Sequence, residues 1–198
     1  MSAKETVEEV FQMYESLKEI SDDGKEKIRR GNQSFARRII PLSPKTEKIL
    51  RSKDKNDFID DYFDTLNQKI ADHSVLDMIA TFERIVFTRI VNTYGEIRNI
   101  VKDEYDKRRS KKNRPAPLYH SATAFIKNRD DIRSLSGARK ILENQISEES
   151  FENLDKIIAH RNWLSHGKRE DVGSDSKLKI EEVFNILTKI IDEIQEDV

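Results

Sequence analysis

SVLDMIATFERIVFTRIVNTYGEIRNIVKDEYDKR, Ser74 to Arg108, is the longest periodic stretch of the chain. Val75, Ile79, Phe82, Val86, Ile90, Ile97, Ile100 and Val101 recur at helical spacing, so one rod carries them as a single buried stripe with polar residues on its remaining faces. Such a rod is the centre of a helical bundle. Upstream, a helix is expected from about Asn56 to Ala71, where Asp57, Asp60, Asp61 and Asp64 share a face and read as a solvated acidic stripe rather than a metal site. Farther upstream, Val7, Val10, Phe11, Tyr14, Leu17 and Ile20 mark the buried stripe of a first helix, with Ser21-Asp22-Asp23-Gly24 as its stop. A short helix from Lys25 to Ile40 follows, ended by Pro41 and Pro44.

Downstream of the rod, Pro115 and Pro117 enforce a break, and Ser110 to Asn128 reads as an insertion or loop. LSGARKILENQI predicts another helix. Ser147 is an N-cap candidate for SEESFENLDKIIAHRNWLSH, whose apolar face is Phe151, Leu154, Ile157, Ile158 and Leu164 and whose stop is Gly167. After the polar loop KREDVGSDSK, the last helix carries Ile180, Val183, Phe184, Leu187, Ile190, Ile191 and Ile194 on one broad face. No strand pattern occurs. The expected fold is all-α, a bundle of helices around the rod.

The 198 residues suffice for one well-buried core, and the 37% charged fraction beside 36% hydrophobic residues suits long amphipathic helices. The absence of cysteine excludes a disulfide framework and thiolate metal sites. MSAKETVEEVFQMYESLKEI has no uninterrupted apolar run, so neither a signal peptide nor a membrane span is expected and the location expected is cytoplasmic. Six glycines form no GxGxxG or GxxxxGK arrangement, which removes the usual phosphate cradles. His73, His120, His160 and His166 lack paired metal spacing, and no metal or cofactor is expected. A net charge of −1 argues against gripping nucleic acid by bulk charge. Locally, however, DKRRSKKNR places Lys107, Arg108, Arg109, Lys111, Lys112 and Arg114 together, either as a solvated loop or as a set of phosphate contacts.

RNWLSHGK, Arg161 to Lys168, is the segment with chemical potential. Histidine exchanges a proton near neutral pH, arginine offers a fixed fork of donors to phosphate oxygens, and asparagine adds a neutral hydrogen-bonding group. Asn162 and His166 share a helix face, whereas Arg161 and His166 diverge by about 140° on one ideal helix. They line one groove only if the helix end unwinds at Gly167 or a second copy of the chain contributes. The structural alternative is a salt bridge from Arg161 across the bundle and a helix-terminal role for His166.

RNWLSH, within IIAHRNWLSHGK, resembles the Arg-x4-His signature of the HEPN superfamily of helical ribonucleases. MIATFERIVFTRI, with Phe82 followed by Glu83, is similar to the second-helix pattern of HEPN subgroups in bacterial defence and toxin loci. The resemblance covers about Asp72 to Val198. It implies an all-α antiparallel four- to five-helix bundle over residues 72–198, preceded by a helical N-terminal extension over residues 1–71, that dimerises so that paired motifs cut RNA without metal. On it, Arg161 would stabilise the scissile phosphate, His166 would act as acid/base or phosphate contact, and Asn162 matches the polar residue after the arginine. Glu83 would orient Arg161, or form a structural salt bridge. Lys168 stands where some silenced relatives carry the tyrosine that is nucleotidylated, a departure from that pattern which puts such regulation in doubt. Two functions follow from the resemblance: an endoribonuclease toxin or antiviral effector, homodimeric and with an antitoxin or regulatory protein as possible partner, or a non-catalytic module binding RNA, nucleotide or protein.

Overall fold

The computed structural model describes residues 3–40, 43–108, 135–143, 145–167 and 177–196. Every regular element among them is helical: α1 Ala3–Arg29, α2 Gln33–Ile39, α3 Pro44–Ile49, α4 Lys55–Arg108, α5 Leu135–Leu142, α6 Glu148–Ser165 and α7 Ile180–Glu196. The rod is longer than its sequence suggested. The helix expected over Asn56–Ala71 and the rod from Ser74 are one continuous α4, about 80 Å long at 1.5 Å per residue. Ile59, Phe63, Val75, Met78, Ile79, Phe82 and Val86 are buried along it, so the apolar stripe runs through residues 71 to 74 without a break.

Polar and aromatic contacts fix the helix directions. Lys25 at the end of α1 reaches Asp64 at 2.9 Å, and Asn67 of α4 donates to Asp22 at 3.0 Å, whereas at the other end Lys4 reaches Asp192 of α7 at 2.6 Å. Phe11 stacks on Phe184 with ring centroids 4.3 Å apart. Thus α1 lies antiparallel to both α4 and α7. Contacts from Ser150 to Glu193 and from His160 to Leu178 make α6 antiparallel to α7, and Arg139 of α5 pairs with Asp155 of α6. The larger core joins α1, α4, α5, α6 and α7 around Met78, Phe82, Leu154, Ile157, Leu187 and Ile190. A smaller one, Ile28, Ala36, Ile40, Ile59 and Phe63, sits under α2. The boundary drawn between residues 71 and 72 falls inside α4, and Val7 and Tyr14 of the first segment belong to the larger core.

Gly24 does not stop the first helix. Val7, Tyr14, Ser21 and Ile28, at seven-residue intervals, are all buried along α1, the repeat that keeps one side of a long helix against its partner. Gly24 lies in this seam, where a Cβ would meet Phe63 at 3.4 Å and Phe35 at 3.5 Å, so its bareness admits two rings. Leu17 and Ile20, expected in the stripe, are 36% and 67% exposed. The helix expected from Lys25 to Ile40 is divided: α1 continues to Arg29, and Asn32 then caps α2 by accepting from the Phe35 N–H at 3.0 Å. Pro44 starts α3 rather than breaking a helix, because proline at the first helical position lacks an N–H that would have no partner anyway. The acidic stripe is partly an interhelical clasp. Asp60 pairs with Lys25 and Arg29, and these two cations hold its carboxyl below the usual carboxylate range.

Candidate functional site

The motif helix α6 is fixed at its start by capping. Ser147 is its N-cap, and its hydroxyl accepts from the Ser150 N–H at 3.3 Å. Glu193 of α7 comes over this end, where its carboxylate accepts from the Ser147 N–H and hydroxyl, each at 2.9 Å, and from the Ser150 hydroxyl at 2.7 Å. Burial pushes the Glu193 carboxyl up, but the bonds from Ser150 and Ser147, with Lys189 nearby, outweigh it and hold the group below its ordinary value. A negative charge over a helix N-terminus also meets the positive end of the helix dipole. In the middle of α6, Leu154 and Ile157 are fully buried, while Phe151 is half-buried beneath the Arg139 guanidinium, 4.0 Å from its ring centre.

Arg161 lies where α6 crosses the middle of α4. Phe82 points fully into the core and the next residue, Glu83, stands at the edge of the interface. The Arg161 guanidinium is 3.4 Å from Glu83 Oε1 and donates to Oε2 at 3.5 Å, both long for an ion pair. Its side chain is 41% exposed against 24% for Glu83. The Oε1 oxygen is shielded from solvent and receives no hydrogen bond from any described residue. Arg161 is therefore oriented but not locked, and part of its donor fork faces outward.

His166 lies just beyond the helix. Its backbone N–H closes the last turn on the carbonyls of Asn162 and Leu164, and Gly167 at φ +76 reverses the chain, a conformation in which a side chain would be strained. The rings and amides of this end are solvent-facing: Asn162 and His166 are exposed, and no side-chain hydrogen bond or ion pair joins either to another described residue. The structure thus brings Glu83 to Arg161 and leaves His166 apart from both within one chain. Lys107 and Arg108 end α4, while Arg109, Lys111, Lys112 and Arg114 fall outside the described residues.

The role of His160 was not apparent in the sequence. It is buried, its Nδ1 accepts from the Leu178 N–H at 3.4 Å, and its ring stacks on Trp163 with centroids 5.6 Å apart. Lys177 places its ammonium 5.4 Å from the Trp163 ring centre. An accepting Nδ1 requires the tautomer with its proton on Nε2. The three-residue spacing of His160 and Trp163, which puts them on neighbouring positions of one helix face, was the available signal. The contacts of His160 with Leu178 and of Trp163 with Lys177 tie the motif end of α6 to the approach to α7.

The broad apolar face of α7 is consumed inside the chain: Val183, Leu187 and Ile190 are fully buried in the larger core. Among the described residues, no three His, Asp or Glu side chains cluster as metal ligands, and no helix is long and apolar enough to cross a membrane. In comparisons with known proteins, no family model, no curated protein and no solved structure matches the chain.

Proposed function

We propose that the protein is a metal-independent endoribonuclease, a toxin or antiviral defence effector that cuts RNA through attack of a ribose 2′-hydroxyl on the adjacent 3′-phosphate. The observation that carries the reading is the half-exposed Arg161, held by Glu83 of α4 in the last turns of α6, with Asn162 beside it in the chain and the exposed His166 just beyond the helix end. In the proposed reaction the 2′-oxygen loses a proton as it bonds to phosphorus, the 5′-oxygen departs and gains one, and the products end in a 2′,3′-cyclic phosphate and a 5′-hydroxyl. His166 moves these protons, Arg161 stabilises the extra negative charge of the phosphorane, and Asn162 hydrogen-bonds the substrate. DNA lacks the nucleophile. Lys107 to Arg114 would hold phosphates away from the bond that breaks.

Among the described residues no hydrogen bond or ion pair joins Arg161 to His166, whose positions diverge around the helix, so the proposed site is completed by a second copy, whose motif supplies the missing half. The same separation favours a second reading, a non-catalytic helical module that binds RNA, nucleotide or a partner such as an antitoxin. Inducible expression distinguishes the two. Growth arrest by the wild type that is relieved by Arg161→Ala and by His166→Ala supports the nuclease; harmless expression of all three forms supports the module.

A further inference from the structure

The 31 residues from Lys25 to Lys55 hold 11 of the chain's 36 Lys and Arg but only 3 of its 37 Asp and Glu, a local excess of +8 in a chain whose total is −1. Among the described residues, folding neutralises only part of this excess. Lys25 and Arg29 are engaged by Asp60 and Asp64 across the α1–α4 seam, and Arg30 pairs with Glu26. Arg37 and Arg38 of α2, Lys48 of α3, and Arg51, Lys53 and Lys55 before and at the start of α4 have no acidic partner among the described residues.

Three of these cations converge. Arg37, Arg51 and Lys55 stand around an open cleft between the end of α1, α2, α3 and the first turn of α4, with Ile28 and Ala36 in its floor and Glu47 as its one acid. We infer that this face binds the phosphodiester backbone of a nucleic acid, at a surface separate from the Arg161 and His166 motif. A nucleic acid carries condensed cations along its phosphates, and unpaired Lys and Arg side chains that neutralise those phosphates gain the entropy of the cations' release. A cleft with a basic rim admits a strand rather than a flat sheet of head groups. Among the described residues, none of the exposed large hydrophobic ones, Met13, Leu17, Ile20, Val91, Ile97 and Ile141, lies between residues 25 and 55, so the described part of this face offers no apolar wedge with which to enter a bilayer. The inference depends on charge and shape and not on the proposed chemistry of α6.

The test is fluorescence anisotropy with a short labelled 2′-O-methyl RNA, which lacks the attacking hydroxyl, and with the same sequence as DNA, across a salt series. Wild type is compared with Arg37→Gln/Arg51→Gln/Lys55→Gln and with a charge-matched control, Lys69→Gln/Lys140→Gln/Lys156→Gln, whose positions are exposed and lie elsewhere. Circular dichroism melts establish that each is folded, and the single variants Arg37→Gln and Arg51→Gln replace the triple if it is not. Losing three phosphate contacts should lower the slope of log affinity against log salt by about 2 units on a single strand, while the control keeps the wild-type slope. Binding of either strand chemistry with this pattern supports the inference. Equal slopes in wild type and cleft variant, an equal loss in the control, or binding to phosphatidylserine vesicles without binding to either strand overturns it. Loss of RNA cleavage in Arg161→Ala leaves this result untouched, so the two proposals fail separately.

Discussion

Replacing Glu193 with alanine removes one carboxylate that accepts three hydrogen bonds at the start of the motif helix, from the Ser147 N–H, the Ser147 hydroxyl and the Ser150 hydroxyl. Bonds to a charged acceptor contribute about 1.5–3 kcal/mol each when desolvated, and partial exposure here brings the sum down to about 2 kcal/mol. In a chain of this size that is a fall of roughly 4–8 °C in Tm. Glu193→Gln, which keeps acceptor oxygen but no charge, should lose about half as much. The pH dependence has a definite sign. Because the folded state holds the Glu193 carboxyl below its ordinary value, its contribution is fully present above the unfolded pKa and is lost as pH falls through the folded one. Thermal melts of wild type and Glu193→Ala should differ most at neutral pH and converge in acid. Equal melting temperatures at neutral pH, or a gap that widens on acidification, would refute the capping argument.

Gly24→Ala should stabilise the protein by about 0.5–1 kcal/mol, since the new methyl reaches Phe63 at 3.4 Å, ordinary contact, and helix propensity rises; Gly24→Val should lower Tm by crowding the same rings. Phe82→Ala, which empties a fully buried site, should cost about 3–5 kcal/mol in a urea titration. Glu83→Gln should cost less than about 1 kcal/mol, because the ion pair is long and half-exposed, yet slow RNA cleavage through looser aim of Arg161. Light scattering should give twice 23.2 kDa; a strictly monomeric protein that still cuts RNA would remove the need for a second copy.

Helical periodicity and end signals carried the all-α class, the Ser147 cap, the Gly167 stop and the buried faces of α6, α7 and of α4 as far as Val86, because each is a relation among residues a few positions apart; Ile97, expected in the α4 stripe, is 54% exposed. Where the reading went astray, the deciding partner was distant. Ser21-Asp22-Asp23-Gly24 has the composition of a helix end, yet Gly24 answers to Phe63 and Phe35, and the seven-residue seam of α1 outweighs its low helix propensity. The acids of early α4 looked solvated until Lys25 and Arg29 were set across from Asp60. The breadth of the apolar face of α7 does not say what covers it, and the structure buries it in the core shared with Val75, Met78 and Leu154. In the candidate site, Arg161 and Glu83 are 78 residues apart, so spacing alone could not pair them; the HEPN resemblance suggested the pair, and His160, outside that pattern, went unassigned.

Cleavage of single-stranded RNA by wild type, Arg161→Ala and His166→Ala, in EDTA and with the product ends identified, tests the nuclease reading most directly. Neither substitution removes a core side chain, so all three proteins should melt within a few degrees of one another. Loss of a positioned acid/base group slows a reaction by about 10²- to 10⁴-fold. The expected result is cleavage by wild type despite EDTA, 2′,3′-cyclic phosphate ends, and a loss of that order in each variant. Full activity in His166→Ala, or abolition of wild-type cleavage by EDTA, would contradict it.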